Sequence, residues 1–190
     1  MKRLVLTCLG LALAMPALSG AQGTVTDVST GDDFFNPEKV SSDVGTRSVH
    51  WQWATTNDHN VREDNKLFYS GKLETTGEFT VNPSAGTFHY YCEVHGFENG
   101  GMDGELAVRP TATPQGKKTL ITWATENTDT GTQFDVQQKV GSKKPKIVES
   151  KTKKIEGVFK LKSGTKYQFQ VRSRQGKKAS GFSPKLKLKG

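Results

Sequence analysis

Between Thr87 and Met102 the sequence passes from an alternating aromatic run into a tight set of metal donors, and this segment constrains the fold more than any other. In Thr87-Phe88-His89-Tyr90-Tyr91-Cys92, a period of two places Phe88, Tyr90 and Cys92 on one face and His89 and Tyr91 on the other. The aromatic face is the expected core, so Cys92 should end a buried strand. His95 follows after two residues and Met102 after six more, with Gly96, Gly100 and Gly101 between them free to fold the loop back. With His59 from upstream, the chain offers two imidazoles, a thiol and a thioether. That is the donor set of mononuclear electron-transfer copper sites, in which His, His and Cys form a plane and Met binds weakly along the axis. Zinc also tolerates Cys and His ligation.

The other two histidines read differently. In Val49-His50-Trp51-Gln52-Trp53 the alternation groups Val49, Trp51 and Trp53 and sends His50 outward, and His89 likewise falls on the polar side of its strand. Both are expected to face solvent, whereas His59 and His95 are expected in loops at strand ends.

Residues 1–21 read as an export signal. Lys2 and Arg3 form a basic start, Leu4 to Met15 an apolar stretch, and Ser19-Gly20-Ala21 a cleavage site of small residues. Cys8 lies inside the apolar stretch and is expected to be discarded with it, leaving Cys92 as the thiol of the mature chain. The absence of a twin-arginine pair favours export unfolded, with metal loading afterwards. No later run approaches the length of a spanning segment. A soluble protein of the periplasm or cell surface is expected.

Charge divides the remainder. Residues 22–109 hold 6 Lys and Arg against 14 Asp and Glu, a net of −8, whereas residues 110–190 hold 19 against 5, a net of +14. A short linker stiffened by Pro110 and Pro114 is expected over residues 110–114. Both flanking segments, 22–109 and 115–190, show short strand-type runs between turn residues and no sustained helical period, so an all-β chain of two domains is predicted.

The first segment resembles the plastocyanin-like cupredoxins, the small blue copper proteins. The resemblance rests on Phe35-Asn36-Pro37 before Val40, Gly45 before Val49 and Trp51, His59-Asn60-Val61, Ser70-Gly71, Gly86-Thr87-Phe88 leading to Tyr90-Tyr91-Cys92, and Met102-Asp103-Gly104. It implies a Greek-key β-sandwich with one type 1 copper ion at one end, held by His59, Cys92, His95 and Met102. In plastocyanins proper the His-to-Met interval is shorter. The resemblance also implies that Asn60 ties the two ligand loops together by hydrogen bonds; an ordinary turn asparagine is the alternative. Tyr91 stands where the family has an aromatic beside the ligand cysteine, and strand packing explains it equally well.

The second segment resembles a fibronectin type III module. Trp123 in Thr119-Leu120-Ile121-Thr122-Trp123 stands for its core tryptophan. Tyr167, after Leu161 and Gly164 and sharing a face with Phe169 and Val171, stands for its tyrosine corner. These residues are structural. The lysines at 143, 144, 146, 151, 153 and 154, and those at 177, 178, 185, 187 and 189, form either a solvated surface or an adhesive one for an anionic cell-envelope polymer or lipid. Docking of the basic module on the acidic one is a further reading of the opposed charges.

The expected function is transfer of single electrons by Cu(II)/Cu(I) cycling, not catalysis, since no nucleophile-base pair, second metal cluster or phosphate-binding loop is evident. A redox protein basic at its docking face is the expected partner. The resemblance implies exchange through the exposed edge of His95, with Phe97 either an apolar docking contact beside it or, as is commoner for a loop aromatic, tucked under the sandwich. Nucleic acid is not expected as a partner of an exported chain without a recognition motif. The competing expectation is copper storage, delivery or tolerance without rapid electron exchange.

Overall fold

A computed structural model describes residues 24–98 and 100–190. The expected export signal, Cys8 included, lies outside the described residues. Those residues form an all-β chain. The first unit contains β1 (Thr24–Thr30), β2 (Phe35–Asn36), β3 (Lys39–Asp43), β4 (Arg47–His59), β5 (Arg62–Glu63), β6 (Glu74–Val81), β7 (Gly86–Phe97) and β8 (Gly100–Arg109). They make two four-stranded sheets, in the orders β2-β1-β4-β6 and β3-β8-β7-β5. β1 runs parallel to β4, and β3 parallel to β8.

Between these sheets lies the core that alternation predicts. Val49 and Trp51 from β4 meet Phe88, Tyr90 and Cys92 from β7, all of them fully buried. Trp51 stands edge-on to Tyr90 at 5.1 Å between ring centroids, and Phe35 meets the same ring at 5.1 Å. Aromatic pairs in this geometry add stability beyond the area they bury. His50 and His89 stand on the outward faces beside acids: His50 Nδ1 is 3.0 Å from Asp27 Oδ1, and His89 Nε2 is 3.6 Å from Glu105 Oε2.

The second unit contains β9 (Thr111–Gln115), β10 (Lys118–Thr122), β11 (Gln133–Val140), β12 (Lys146–Thr152), β13 (Glu156–Phe159), β14 (Lys166–Gln175), β15 (Lys178–Ala179) and β16 (Leu186–Lys189). A sheet ordered β13-β10-β9 packs against one ordered β12-β11-β14, with β15 and β16 both pairing to β14. Ile121, Trp123, Phe134, Val136, Tyr167, Phe169 and Val171 fill the space between them. The Tyr167 hydroxyl accepts a hydrogen bond from the backbone N–H of Lys162 at 3.0 Å, which pins the turn before β14.

Residues 110–114 are not a linker. Pro110 is buried, and Thr111–Gln115 pairs with β10 from Thr111 opposite Thr122 to Gln115 opposite Lys118. Pro114 fits because β9 is an edge strand, where a missing N–H costs no ladder bond. Proline, read as a spacer, here marks a sheet edge.

The two units meet through a buried polar seam. Ser84, Thr130 and Ser173 are fully buried. The Ser84 N–H donates to Thr130 Oγ1 at 2.8 Å, Ser84 Oγ bonds Ser173 Oγ, and Ser173 Oγ donates to the Ala85 carbonyl at 3.0 Å. The Ala85 N–H donates to the Trp123 carbonyl at 2.8 Å, and Thr87 and Gly181 exchange backbone bonds at 3.1 and 2.9 Å. Every ion pair among the described residues stays within one unit. The opposed net charges therefore do not pair across this contact; hydroxyls, backbone amides and the Asp129 carboxylate, which accepts from the Asn82 N–H at 2.8 Å and from its side-chain amide at 3.2 Å, make it.

Candidate metal centre

β7 does not end at Cys92. It pairs with β8 from Gly86 opposite Val108 to Tyr91 opposite Asp103, then resumes at Gly96 opposite Gly101. Cys92, Glu93, Val94 and His95 therefore bulge against one β8 residue, Met102. A bulge bends its strand and re-aims side chains, and this one turns Cys92 and His95 to the same side. The strands close tightly above it. A Cβ added to Gly96 would lie 2.3 Å from the Met102 carbonyl oxygen, and one on Gly101, at φ +70°, 2.6 Å from that of His95. Only glycine fits at either place.

His59 arrives from the other sheet, as the last residue of β4. The result is a triangle of donor atoms at one end of the sandwich. His59 Nδ1 lies 3.6 Å from Cys92 Sγ, Cys92 Sγ 3.7 Å from His95 Nδ1, and the two Nδ1 atoms 3.2 Å apart. Ligand atoms each about 2.0–2.3 Å from a common ion lie no more than roughly 4.5 Å apart, so these separations fit one shared metal. His59 and Cys92 are fully buried, and His95 alone of the three is partly open to solvent. Burial, together with the nearby His95 ring, holds His59 below its ordinary pKa. A neutral imidazole is what ligation requires.

The structure thus brings His59, Cys92 and His95 together. Met102, buried, is set beside them by its position opposite the bulge. Asn60 lies directly behind. Its Oδ1 accepts the Glu93 backbone N–H at 3.0 Å, and its Nδ2 donates to the Gly71 carbonyl at 3.0 Å and to Glu93 Oε2 at 2.8 Å.

Four participants escape the sequence reading. Glu93 also accepts from the Tyr69 hydroxyl at 2.9 Å and from Arg62 Nη1 at 3.0 Å. Burial pushes its carboxyl up, but Asn60, Tyr69 and Arg62 outweigh this and hold it below the ordinary range. Arg62 also lies over the Tyr91 ring at 5.3 Å. On the far side, Asp32 Oδ1 stands 3.7 Å from His59 Nε2, a buried nitrogen without a hydrogen-bond partner. Asp32 is itself held by the Thr56 hydroxyl at 3.0 Å and the Asn57 N–H at 3.3 Å, which lower its pKa. A carboxylate there favours the tautomer with the proton on Nε2, leaving the Nδ1 lone pair for a metal. The turn Gly31-Asp32-Asp33 carries no local sign of this contact.

No protein-family model matches the chain, and no curated protein matches it. Among solved structures, it is similar to one described as a myokine structure (TM-score 0.36, 16% identity, 44% of this chain and 93% of that one). It is also similar to a two fibronectin type III domain segment from chicken tenascin (0.36, 16%, 70% and 83%) and to the chicken CNTN1 FN1-FN3 domains (0.33, 8%, 83% and 63%).

Proposed function

We propose that the protein is an exported type 1 copper electron carrier, a cupredoxin-like unit joined to a fibronectin type III-like one. The observation that carries the reading is the buried triangle of His59 Nδ1, Cys92 Sγ and His95 Nδ1, with sides of 3.2–3.7 Å and Met102 across the bulge. Two nitrogens, one thiolate sulfur and a thioether favour copper among the metals that tolerate such ligands. A bound copper ion supplies a one-electron couple. For the second unit, support comes from its strand order and the Tyr167 hydroxyl that ties back to Lys162.

The chain's own residues do the rest. β7 and β8 hold Cys92 and His95 in a rigid hairpin, while Asn60 fastens that hairpin to the segment after His59, so the donors are arranged before any metal arrives. A preset donor arrangement favours small rearrangement between oxidation states. Burial of Cys92 and His59 keeps water from both. His95, the donor that reaches solvent, gives a partner its nearest approach. Val94 and Phe97, 55% and 65% exposed, flank it with apolar surface. Weak, brief encounters of a small redox interface suit such a patch.

Stopped-flow reduction and reoxidation of the copper-loaded protein separates a carrier from a store. Rapid, reversible exchange with small inorganic redox reagents is expected. Slow exchange combined with ready release of Cu(I) to a chelator would support storage or delivery instead.

A further inference from the structure

The second unit's acids are few and mostly committed. Asp135 accepts from Arg172 and Arg174, Asp129 bonds Asn82 across the seam, and Glu149 lies 3.5 Å from Lys154. Among the described residues no other lysine of this unit has an acidic partner. Strand register fixes where part of the excess gathers. Tyr167, Phe169 and Val171 face the core, so Lys166, Gln168, Gln170, Arg172 and Arg174 share the outer face of β14. Pairing sets Lys139 of β11 beside Gln168, Gln168 beside Lys187 of β16, and Lys166 directly opposite Lys189.

Like charges directly opposed across two strands destabilise a sheet. Lysines on an edge strand guard against sheet extension, which accounts for Lys187 and Lys189 on β16. It does not account for Lys139 and Lys166 on interior strands. We infer that this face, centred on Lys139, Lys166, Lys187 and Lys189, binds an anionic polysaccharide. Four lysines gathered on one face by register offer positive charge to carboxylates repeated along a chain, and Gln137 and Gln168 on the same face offer amides for sugar hydroxyls. The apolar side chains on this face are two and lie at its margins, Ile147 of β12 opposite Gln137 and Phe182 under Arg172, and the rows of β11, β14 and β16 between them carry none. So sparse a set does not make the apolar face that enters a bilayer interface, which favours polymer over lipid.

The placement leaves the metal donors free. Lys166 and the seam residue Ser173 lie seven residues apart on β14, roughly 23 Å at about 3.3 Å per residue. Cys92 lies six residues from Gly86 on β7, roughly 20 Å by the same measure. Polymer and redox partner would thus occupy ends that both point away from the seam.

The test uses the whole chain with polygalacturonate as probe, methyl-esterified polygalacturonate as the neutral control, and phosphatidylglycerol vesicles as the lipid alternative. Wild-type protein should bind the acidic polymer and not its ester. The variant K139Q/K166Q/K187Q/K189Q should bind at least about tenfold more weakly, while K117Q/K118Q/K177Q/K178Q, with the same loss of charge elsewhere, should stay within about threefold. Metal content plays no part in this readout. Equal weakening of the two variants would reduce the effect to net charge and overturn the proposal, as would binding to the vesicles without binding to the polymer, or no polymer binding.

Discussion

The side chain of Asn60 holds Glu93 at two points, accepting its backbone N–H at 3.0 Å and donating to its carboxylate at 2.8 Å. Asn60 follows donor His59 and Glu93 follows donor Cys92, so this contact locks the two donor segments together. Both sheets contribute to the site, and this amide is the clasp between them.

Replacing Asn60 with Ala should therefore loosen the site as well as the fold. Asn60 is fully buried, and its loss strands the Glu93 N–H, takes the side-chain donor from the Gly71 carbonyl and leaves Glu93 Oε2 with the Tyr69 hydroxyl alone of its two donors. A destabilisation of about 2–3 kcal/mol is expected, read by denaturant titration of the metal-free protein. Metal affinity should fall in parallel, read by competition with a chromogenic chelator.

Met102 faces the donor bulge but comes last in affinity under the proposed copper reading. Met102→Leu keeps volume and burial while removing the sulfur. Its copper form should keep its colour and shift its reduction potential, measured by protein-film voltammetry. An unchanged potential would remove Met102 from the donor set.

Asp135 governs acid stability in the second unit. Burial pushes its carboxyl up, but the Lys151 N–H and the Arg172 and Arg174 guanidinium groups outweigh that and hold it below its ordinary value of 3.8. A lowered folded value means the stabilisation is present above the unfolded value and lost as pH falls through the folded one. Melting of wild type between about pH 6 and pH 2 should show this loss, and Asp135→Asn should flatten it. At neutral pH the same variant leaves two cations without their partner and should cost about 3–5 kcal/mol.

The seam predicts a fixed shape. Because hydrogen bonds and not ion pairs join the units, X-ray scattering profiles should be the same at low and high salt, screening having little to act on. Proteolysis should spare residues 110–115, which are strand and buried proline. A profile that expands with salt would return the contact to electrostatics.

How much of this was legible follows from the range of each interaction. Phe88, Tyr90 and Cys92 announce their buried face by alternation alone, because side-chain direction in a strand is local. The outward register of His50 and His89 is legible for the same reason. The continuation of β7 to Phe97 was not, since the bulge is set by Met102 opposite it and by glycines where two backbones touch. Asp32 and Tyr69 were missed because each reaches the site across the fold, and Arg62 and Glu93, though close to the donors in sequence, because their role lies in the contacts among Arg62, Glu93 and Asn60 that only folding makes. Pro114 misled because a proline at a sheet edge and one in a linker look alike until the partner strand is known. The charge contrast was real in the sequence but did not locate the contact between units.

Under the proposed function, His59, Cys92 and His95 hold copper through a thiolate. The visible absorption spectrum of the protein loaded with one equivalent of Cu(II), with and without reductant and beside Cys92→Ser, reads that bond. Wild type should be intensely blue, bleach on reduction and recover on reoxidation, and Cys92→Ser should be colourless. A colourless wild-type Cu(II) complex, or a Cys92→Ser protein that stays blue, would contradict it.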